Sequence, residues 1–377
     1  MFLKSIAVVA LLLSTGIACA SDLFKVSPYT LKHTNGRLLL NFQLNETKKL
    51  QIVDGQRVTK SFEYKKDQHY QTELSSEACG SIKDLRIVDP VNNAVIFSKT
   101  FPQSVCAQTN ADYTFGFISD TQQYTNRHEA ISKVIAYHNA QEPMQFLING
   151  GDVVQNGQVE SEWIEYFKGG ISYLMDIPQI AAIGNHDYRG NKTNVVPEFF
   201  QKYLRWENSP TDGNLFFDMP GFQLIILNSN FSDFSEAQEK ETWVWMEKKM
   251  AAAQKANTPI IVATHFPVLS SSMNRFTSSS VKLLRKHLMP LSEKYGVKLI
   301  LSGHTHMYER SLKDGVNYLV AGPAGGRVNK PTFTNEYKKY FNADVLTFTK
   351  IKYSNKTFKI ETFNEENVLI DQLNINL

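Results

Sequence analysis

Cysteine is scarce in this chain. Three residues among 377 cannot build a disulfide scaffold or a four-cysteine zinc site. An excess of one charge sign is missing too. Lys and Arg number 40 against 37 Asp and Glu, a formal charge of +3, and no dense basic run appears. So small a balance offers no nucleic-acid-binding surface and no attraction of the whole chain to anionic lipid. Beyond the N-terminus no apolar run approaches the ~18 residues of a membrane-spanning helix, so no transmembrane segment is expected. Repeats and low-complexity stretches are absent. What is present is 42% hydrophobic and 12% aromatic residues, enough for a sizeable core in one large domain or two. That composition excludes a mainly disordered, collagen-like or coiled-coil chain.

Lys4 precedes the short apolar run Ile6 to Leu13, and Ala18-Cys19-Ala20 supplies a small-x-small cleavage site. The pattern is a signal peptide over 1–20, and it predicts a secreted or periplasmic protein. Cys19 after Gly16-Ile17-Ala18 leaves a second reading open, a lipoprotein anchored through that cysteine. Cleavage after Ala20 leaves Cys79 and Cys106, an even pair that predicts a disulfide in an exported chain. Four Asn-x-Ser/Thr sequons begin at Asn45, Asn191, Asn230 and Asn355.

Residues 21–108 read as a small β domain, with strands at 37–44, 50–53, 84–88 and 94–101. From 109 to 377 the texture changes. Strands at 113–119, 144–148, 179–183, 223–227, 259–264 and 297–301 alternate with helical stretches at 127–137, 160–174, 235–253 and 278–294. This alternation predicts an α/β layered core, and the tail at 345–375 returns to β alternation.

Five polar clusters each follow a predicted strand: Asp120-Thr121-Gln122, Gly151-Asp152, Gly184-Asn185-His186-Asp187, His265, and Gly303-His304-Thr305-His306. Loops beyond the carboxyl ends of strands in an open α/β sheet converge on one crevice, so groups remote in sequence can meet there. Asp, Asn, Gln and His are donors suited to Mn, Fe or Zn. Two such ions bridged by one carboxylate suit phosphoester hydrolysis. His186 can serve the leaving group as acid or charge partner, and Asp187 can orient His186 or raise its pKa.

The ordered clusters resemble the calcineurin-like metallophosphoesterase superfamily, whose order is Asp-x-His, Gly-Asp, Gly-Asn-His-Asp/Glu, a single His and Gly-His-x-His. Gly303 to Ser311 is similar to the last-ligand motif of the purple acid phosphatase-like branch. The resemblance implies a four-layer α-β-β-α sandwich with an N-terminal all-β, fibronectin- or immunoglobulin-like domain. It implies two divalent or trivalent ions (Mn, Fe or Zn), one held by Asp120, Gln122, Asp152 and His306, the other by Asp152, Asn185, His265 and His304. The implied activity is an exported dinuclear phosphohydrolase, cleaving phosphomonoester or phosphodiester substrates by attack of a metal-bridging hydroxide, with His186 and Asp187 catalytic.

The chain departs from the pattern at three positions. Gln122 stands where the first motif carries His. Gln155 stands where purple enzymes carry their iron-ligating Tyr, so the chromophore is not expected. Gly157 stands where many relatives carry a phosphate-binding Arg. Gln122 also supports the alternative of a non-catalytic binding or adhesion protein on a degenerate phosphatase scaffold.

Asn185 and His186 are candidate substrate contacts. Tyr308 and Arg310 either touch substrate or buttress their loop. Gly322 to Gly326 reads as a tight turn at the active site, because it lacks the lysine of a nucleotide loop. Trp243 and Trp245 are expected to pack the inner face of their helix. His33, His69, His128, His138 and His287 are expected to be ordinary surface residues.

Overall fold

The computed structural model describes residues 23–74, 84–100, 112–190, 196–204 and 213–377. The leader segment, Cys19 and the Cys79–Cys106 pair lie outside the described residues. Among the described residues no helix is long and apolar enough to cross a membrane.

Among the described residues, seven strands precede the α/β region: β1 (Phe24–Lys32), β2 (Leu38–Leu44), β3 (Lys48–Asp54), β4 (Arg57–Tyr64), β5 (His69–Leu74), β6 (Leu85–Asp89) and β7 (Ala94–Lys99). They divide between two sheets. β4-β3-β6-β7 form an antiparallel sheet of their own, whereas β1, β2 and β5 extend a nine-stranded sheet. The inner faces meet through Leu38, Leu40 and Phe42 of β2 against Ile52, Ile87 and Phe97. β1 joins the larger core instead, through Val26, Tyr29 and Leu31. Of these strands β4 is exposed along most of its length, so it carries no alternation for a sequence reading to find.

The middle of the nine-stranded sheet is parallel: β8 (Tyr113–Ile118), β9 (Phe146–Asn149) and β10 (Gln179–Ala181), each buried throughout. β1 pairs with β10 at Leu31 and Gln179. The chain's last three strands, β18 (Phe348–Ser354), β19 (Thr357–Phe363) and β20 (Leu369–Asn376), flank β8 on the other side. A second sheet has the order β11-β12-β13-β14-β16-β15-β17. Its strands are β11 (Leu215–Met219), β12 (Phe222–Leu227), β13 (Ile260–Thr264), β14 (Val297–Ser302), β15 (Tyr308–Lys313), β16 (Val316–Ala321) and β17 (Lys338–Asn342).

Alternation sends β12–β14 into two cores at once. Leu224, Ile226, Ile261, Ala263, Leu299 and Leu301 join the cluster that holds Phe115, Phe117 and Leu147 of the first sheet. Their neighbours Ile225, Leu227, Ile260, Val262 and Ile300 pack with the helical Met246, Met250, Leu284 and Leu288. Burial on both faces is why these strands read as apolar runs. The helix Glu236–Lys255 starts at a capping box: Gln238 donates its amide to Ser235 Oγ at 3.3 Å, and Ser235 donates its own to Gln238 Oε1 at 2.9 Å. Trp243 is buried on its inner face, as expected.

Two histidines expected at the surface are buried. His128 lies under the Tyr166 ring and shares a 3.0 Å hydrogen bond with the Tyr173 hydroxyl. His138 bonds Asn367 at 2.8 Å. His69, half-buried, has its pKa lowered to about 4, chiefly by burial. These rings fill core positions on elements whose apolar periodicity is weak. Asn230 is also buried and donates to the Ile183 carbonyl at 2.7 Å, so that sequon has no room for a glycan, whereas Asn45 and Asn355 are exposed.

Candidate metal centre

β8, β9 and β10 of one sheet and β13 and β14 of the other end on the same crevice, and each delivers one polar cluster to it. Asp120, Asp152 and His304 leave their strands with φ of 58°, 52° and 64°. That left-handed backbone costs roughly 1–2 kcal/mol per non-glycine residue and turns each side chain sharply off the strand direction. The loops pack in direct contact. A Cβ on Gly184 would stand 2.1 Å from the Asp152 amide nitrogen, and one on Gly303 would stand 1.8 Å from Ser119 Oγ. No other residue fits at either position without moving the ligand loops.

Two groups of ligand atoms result, each within 4.8 Å: Asp120, Asp152 and His306, and Asp152, His265 and His304. Asp152 belongs to both. Around His265 Nε2 lie Asn185 Oδ1 at 3.2 Å, His304 Nδ1 at 3.2 Å and Asp152 Oδ1 at 3.3 Å. Around His306 Nε2 lie Asp120 Oδ1 and the Gln122 carboxamide, both at 3.3 Å. All seven candidate ligands therefore converge on one crevice, and all but the half-buried Asn185 are buried.

Carbonyl oxygens hold the far side of three rings. His265 Nδ1 faces Gly150 O at 3.0 Å, His306 Nδ1 faces Arg327 O at 2.6 Å, and His186 Nδ1 faces Gln155 O at 2.9 Å. A carbonyl only accepts, so Nδ1 carries a proton in each ring and Nε2 is the nitrogen turned to the crevice. Burial opposes charge on His265, but the Asp152 carboxylate outweighs it and lifts the ring to about 9. Burial also opposes charge on Asp152, and His265, His186 and His304 hold it below the usual carboxylate range. The field of the crevice thus favours positive charge beside Asp152, which is what a cation site requires.

Gln122 carries a further sign that the residues fit metal ions. Its amide nitrogen lies 3.2 Å from Asp152 Oδ2, while its Oε1 is buried without a hydrogen-bond partner. Turning the carboxamide end for end, an exchange of near-isosteric atoms, directs the oxygen at the same place as Asp152 and His306. A cavity of about 450 Å³ opens beside Gln122 and Gln155, lined also by Tyr124, Glu162 and Glu165.

One expected role changes, and two residues left open gain a partner. Asp187 was expected to orient His186. Its carboxylate instead accepts backbone amides from Asp152 (3.0 Å), Val153 (2.9 Å), Val154 (3.3 Å) and Gly184 (2.8 Å), while His186 is held by Gln155. Burial and the neighbouring Asp152 charge push Asp187 up to about 8, against the pull of those amides. Tyr308 and Arg310, left open between substrate and support, both bind Asp371 of β20. The hydroxyl donates at 2.9 Å and the guanidinium at 2.6 and 3.1 Å. No local pattern tied β15 to β20, so Asp371 carried no signal in the sequence. The Gly322–Gly326 turn lies at the site as expected: Gly325 and Gly326 donate to the Asp120 carbonyl at 3.0 and 2.9 Å.

The calcineurin-like phosphoesterase family model matches residues 113–308, just over half of the chain. The chain belongs to that family. Among curated proteins, this phosphoesterase chain is 26% identical over 220 residues to the phosphoenolpyruvate phosphatase of Allium cepa (54% of this chain, 43% of the relative). It is 29% identical over 185 residues to tartrate-resistant acid phosphatase type 5 of Mus musculus (44% of this chain, 54% of the relative). The chain thus spans about half the length of these relatives. Among solved structures, a purple acid phosphatase from yellow lupin (Lupinus luteus) seeds shares the fold, with a TM-score of 0.68 at 14% identity over 93% of this chain and 74% of that one. Similarity within the family runs to the purple acid phosphatase-like branch.

Proposed function

We propose that this protein is an exported hydrolase of phosphomonoesters or phosphodiesters with a dinuclear metal centre. The observation that carries the reading is that Asp152 belongs to both ligand groups. Asp120, Gln122, Asp152 and His306 would hold one ion and Asp152, Asn185, His265 and His304 the other. Mn, Fe and Zn suit these donors, and the carboxamide in place of imidazole favours a harder, more weakly held ion in the first. When bound, two such ions supply positive charge for the phosphoryl oxygens and acidify a water molecule. The chain's own residues do the rest. Asn185 and His186 face the substrate side of the crevice. His186, with Nδ1 committed to Gln155, takes up a proton at Nε2 and passes it to the leaving oxygen. Asp187 holds the backbone that aims Asp152. The proposal includes a helix-sheet-sheet-helix layering over 109–377 and an immunoglobulin-like unit before it, preceded by a cleaved leader.

Metal analysis combined with assays on para-nitrophenyl phosphate and its bis-ester tests the reading. Two ions per chain and cleavage of either ester are expected. A metal-free, inert protein would make it a binding protein on a degenerate scaffold.

A further inference from the structure

We infer that Arg189 binds the phosphoryl oxygens of the substrate, an inference that rests on the hydrolase reading above for the identity of that substrate. Arg189 Nη2 lies 3.3 Å from His186 Nε2, and that same nitrogen is 3.9 Å from Oδ2 of the shared Asp152. The guanidinium therefore stands one ring away from the carboxylate common to both ligand groups, on the exposed side of the crevice.

Chain geometry puts it there. Asn185 to Tyr188 make one helical turn after β10, and Arg189 closes it by donating its amide to the His186 carbonyl at 3.1 Å. Gly157 donates its amide to the same carbonyl at 3.0 Å. Positions 157 and 189 thus meet at one oxygen. This chain has no side chain at 157, and the cation of that corner comes from 189.

Two other arginines near the crevice hold other partners. Arg127 donates to Gly326 O at 3.2 Å and lies over the Tyr124 ring, and Arg310 is paired with Asp371. A guanidinium suits the task because its planar fork matches two oxygens of a tetrahedral anion and keeps its charge at every working pH.

The test is inorganic phosphate binding to the metal-loaded protein, measured by calorimetry and therefore independent of turnover, in wild type, Arg189→Ala, Arg189→Lys and Arg127→Ala. Arg189→Ala should retain its metal and bind phosphate about 10- to 100-fold more weakly, the loss expected for charge-assisted hydrogen bonds. Arg189→Lys should recover part of the affinity, and Arg127→Ala should stay near wild type. With para-nitrophenyl phosphate, KM should rise more than kcat falls. Should Arg189→Ala lose metal, Arg189→Gln, which keeps most of the side chain, decides by the same measurement. Equal phosphate affinity in wild type and the metal-loaded variant overturns the inference. A wild type that binds phosphate through Arg189 yet cleaves no ester supports the inference and overturns the hydrolase reading instead.

Discussion

Asp187 holds Asp152 by the backbone: one carboxylate oxygen accepts the Asp152 amide at 3.0 Å and the other the Val153 amide at 2.9 Å. The second oxygen also lies 3.3 Å from the Val154 amide. These bonds stabilise the left-handed backbone at Asp152, with φ of 52°, that aims its side chain between the two ligand groups. Asp187→Asn leaves one acceptor oxygen where two are used and sets an NH2 against an amide donor. Unfolding in denaturant should show a loss of about 2–4 kcal/mol. Metal affinity should fall about 10- to 100-fold, as for other groups that orient ligands. Unchanged metal affinity would show that the contact supports the fold and not the site.

Asp152 should be the least replaceable residue. Asp152→Asn removes a negative charge from both ligand groups at once. Most bound metal should be lost, and turnover should drop at least ~1000-fold, since several kcal/mol of charge stabilisation disappear. Elemental analysis beside a rate assay checks both. A variant with near-normal metal and rate would refute the shared role.

Gln122→His restores the commoner imidazole ligand beside His306. Affinity for Zn or Mn should rise at neutral pH, because imidazole is the stronger donor. The gain should fade in acid, since imidazole binds only when neutral and its reference pKa is about 6.5. A carboxamide does not titrate. The other candidate ligands are the same in both proteins, so the difference between the two curves over roughly pH 5–8 is diagnostic. Overlaid curves of metal content would place Gln122 outside the ligand set.

Burial lowers the His128 pKa to about 3, so the ring is neutral in the folded protein while the unfolded chain titrates near 6.5. Between those values the unfolded chain binds more protons. Stability from this group is therefore complete above about pH 6.5 and is lost as pH falls toward 3, by roughly 4 kcal/mol in all. His128→Leu should lower stability at neutral pH through the lost Tyr173 bond, yet lose less of it on acidification than wild type. Denaturant midpoints from about pH 4 to 7 would show this as converging curves; parallel curves would rule out the His128 contribution.

Arg310 and Tyr308 should matter to stability and not to substrate. Arg310→Ala breaks a partly buried two-bond pair with Asp371, with a loss of about 1–3 kcal/mol. KM for para-nitrophenyl phosphate should stay within a factor of about two, beyond which RT ln 2 would signal a direct contact. A large rise in KM at unchanged stability would return Arg310 to the substrate.

The convergence of the candidate ligands was readable before any coordinate because each donor follows an apolar strand. Strand ends of a parallel sheet must share one edge, so order in sequence translates into proximity in space. The proposed partition of Asp120, Gln122 and His306 from Asn185, His265 and His304 came only through the family resemblance. The strands at 113–118, 222–227, 260–264 and 297–302 were legible for a related reason: burial on both faces leaves runs that are mostly apolar.

Tertiary structure decided what no local pattern encodes. Asp187 looks like a partner for its neighbour His186, but the one-turn helix at 185–188 points the two side chains at different tasks, one to backbone amides and the other to the crevice. Arg310 alternates on an ordinary strand, and only the approach of β20 supplies Asp371. β1 reads as part of a separate β unit, yet it pairs with β10 and sends Val26, Tyr29 and Leu31 into the larger core. His128 sits on a helix with a weak apolar stripe, and its burial comes from Tyr166 and Tyr173 on the following helices. In each case the deciding partner is remote in sequence. Periodicity and motif spacing report which face of an element is apolar and which residues can bind a metal. Which distant group fills the space against that face is set by how the sheets and helices close on one another.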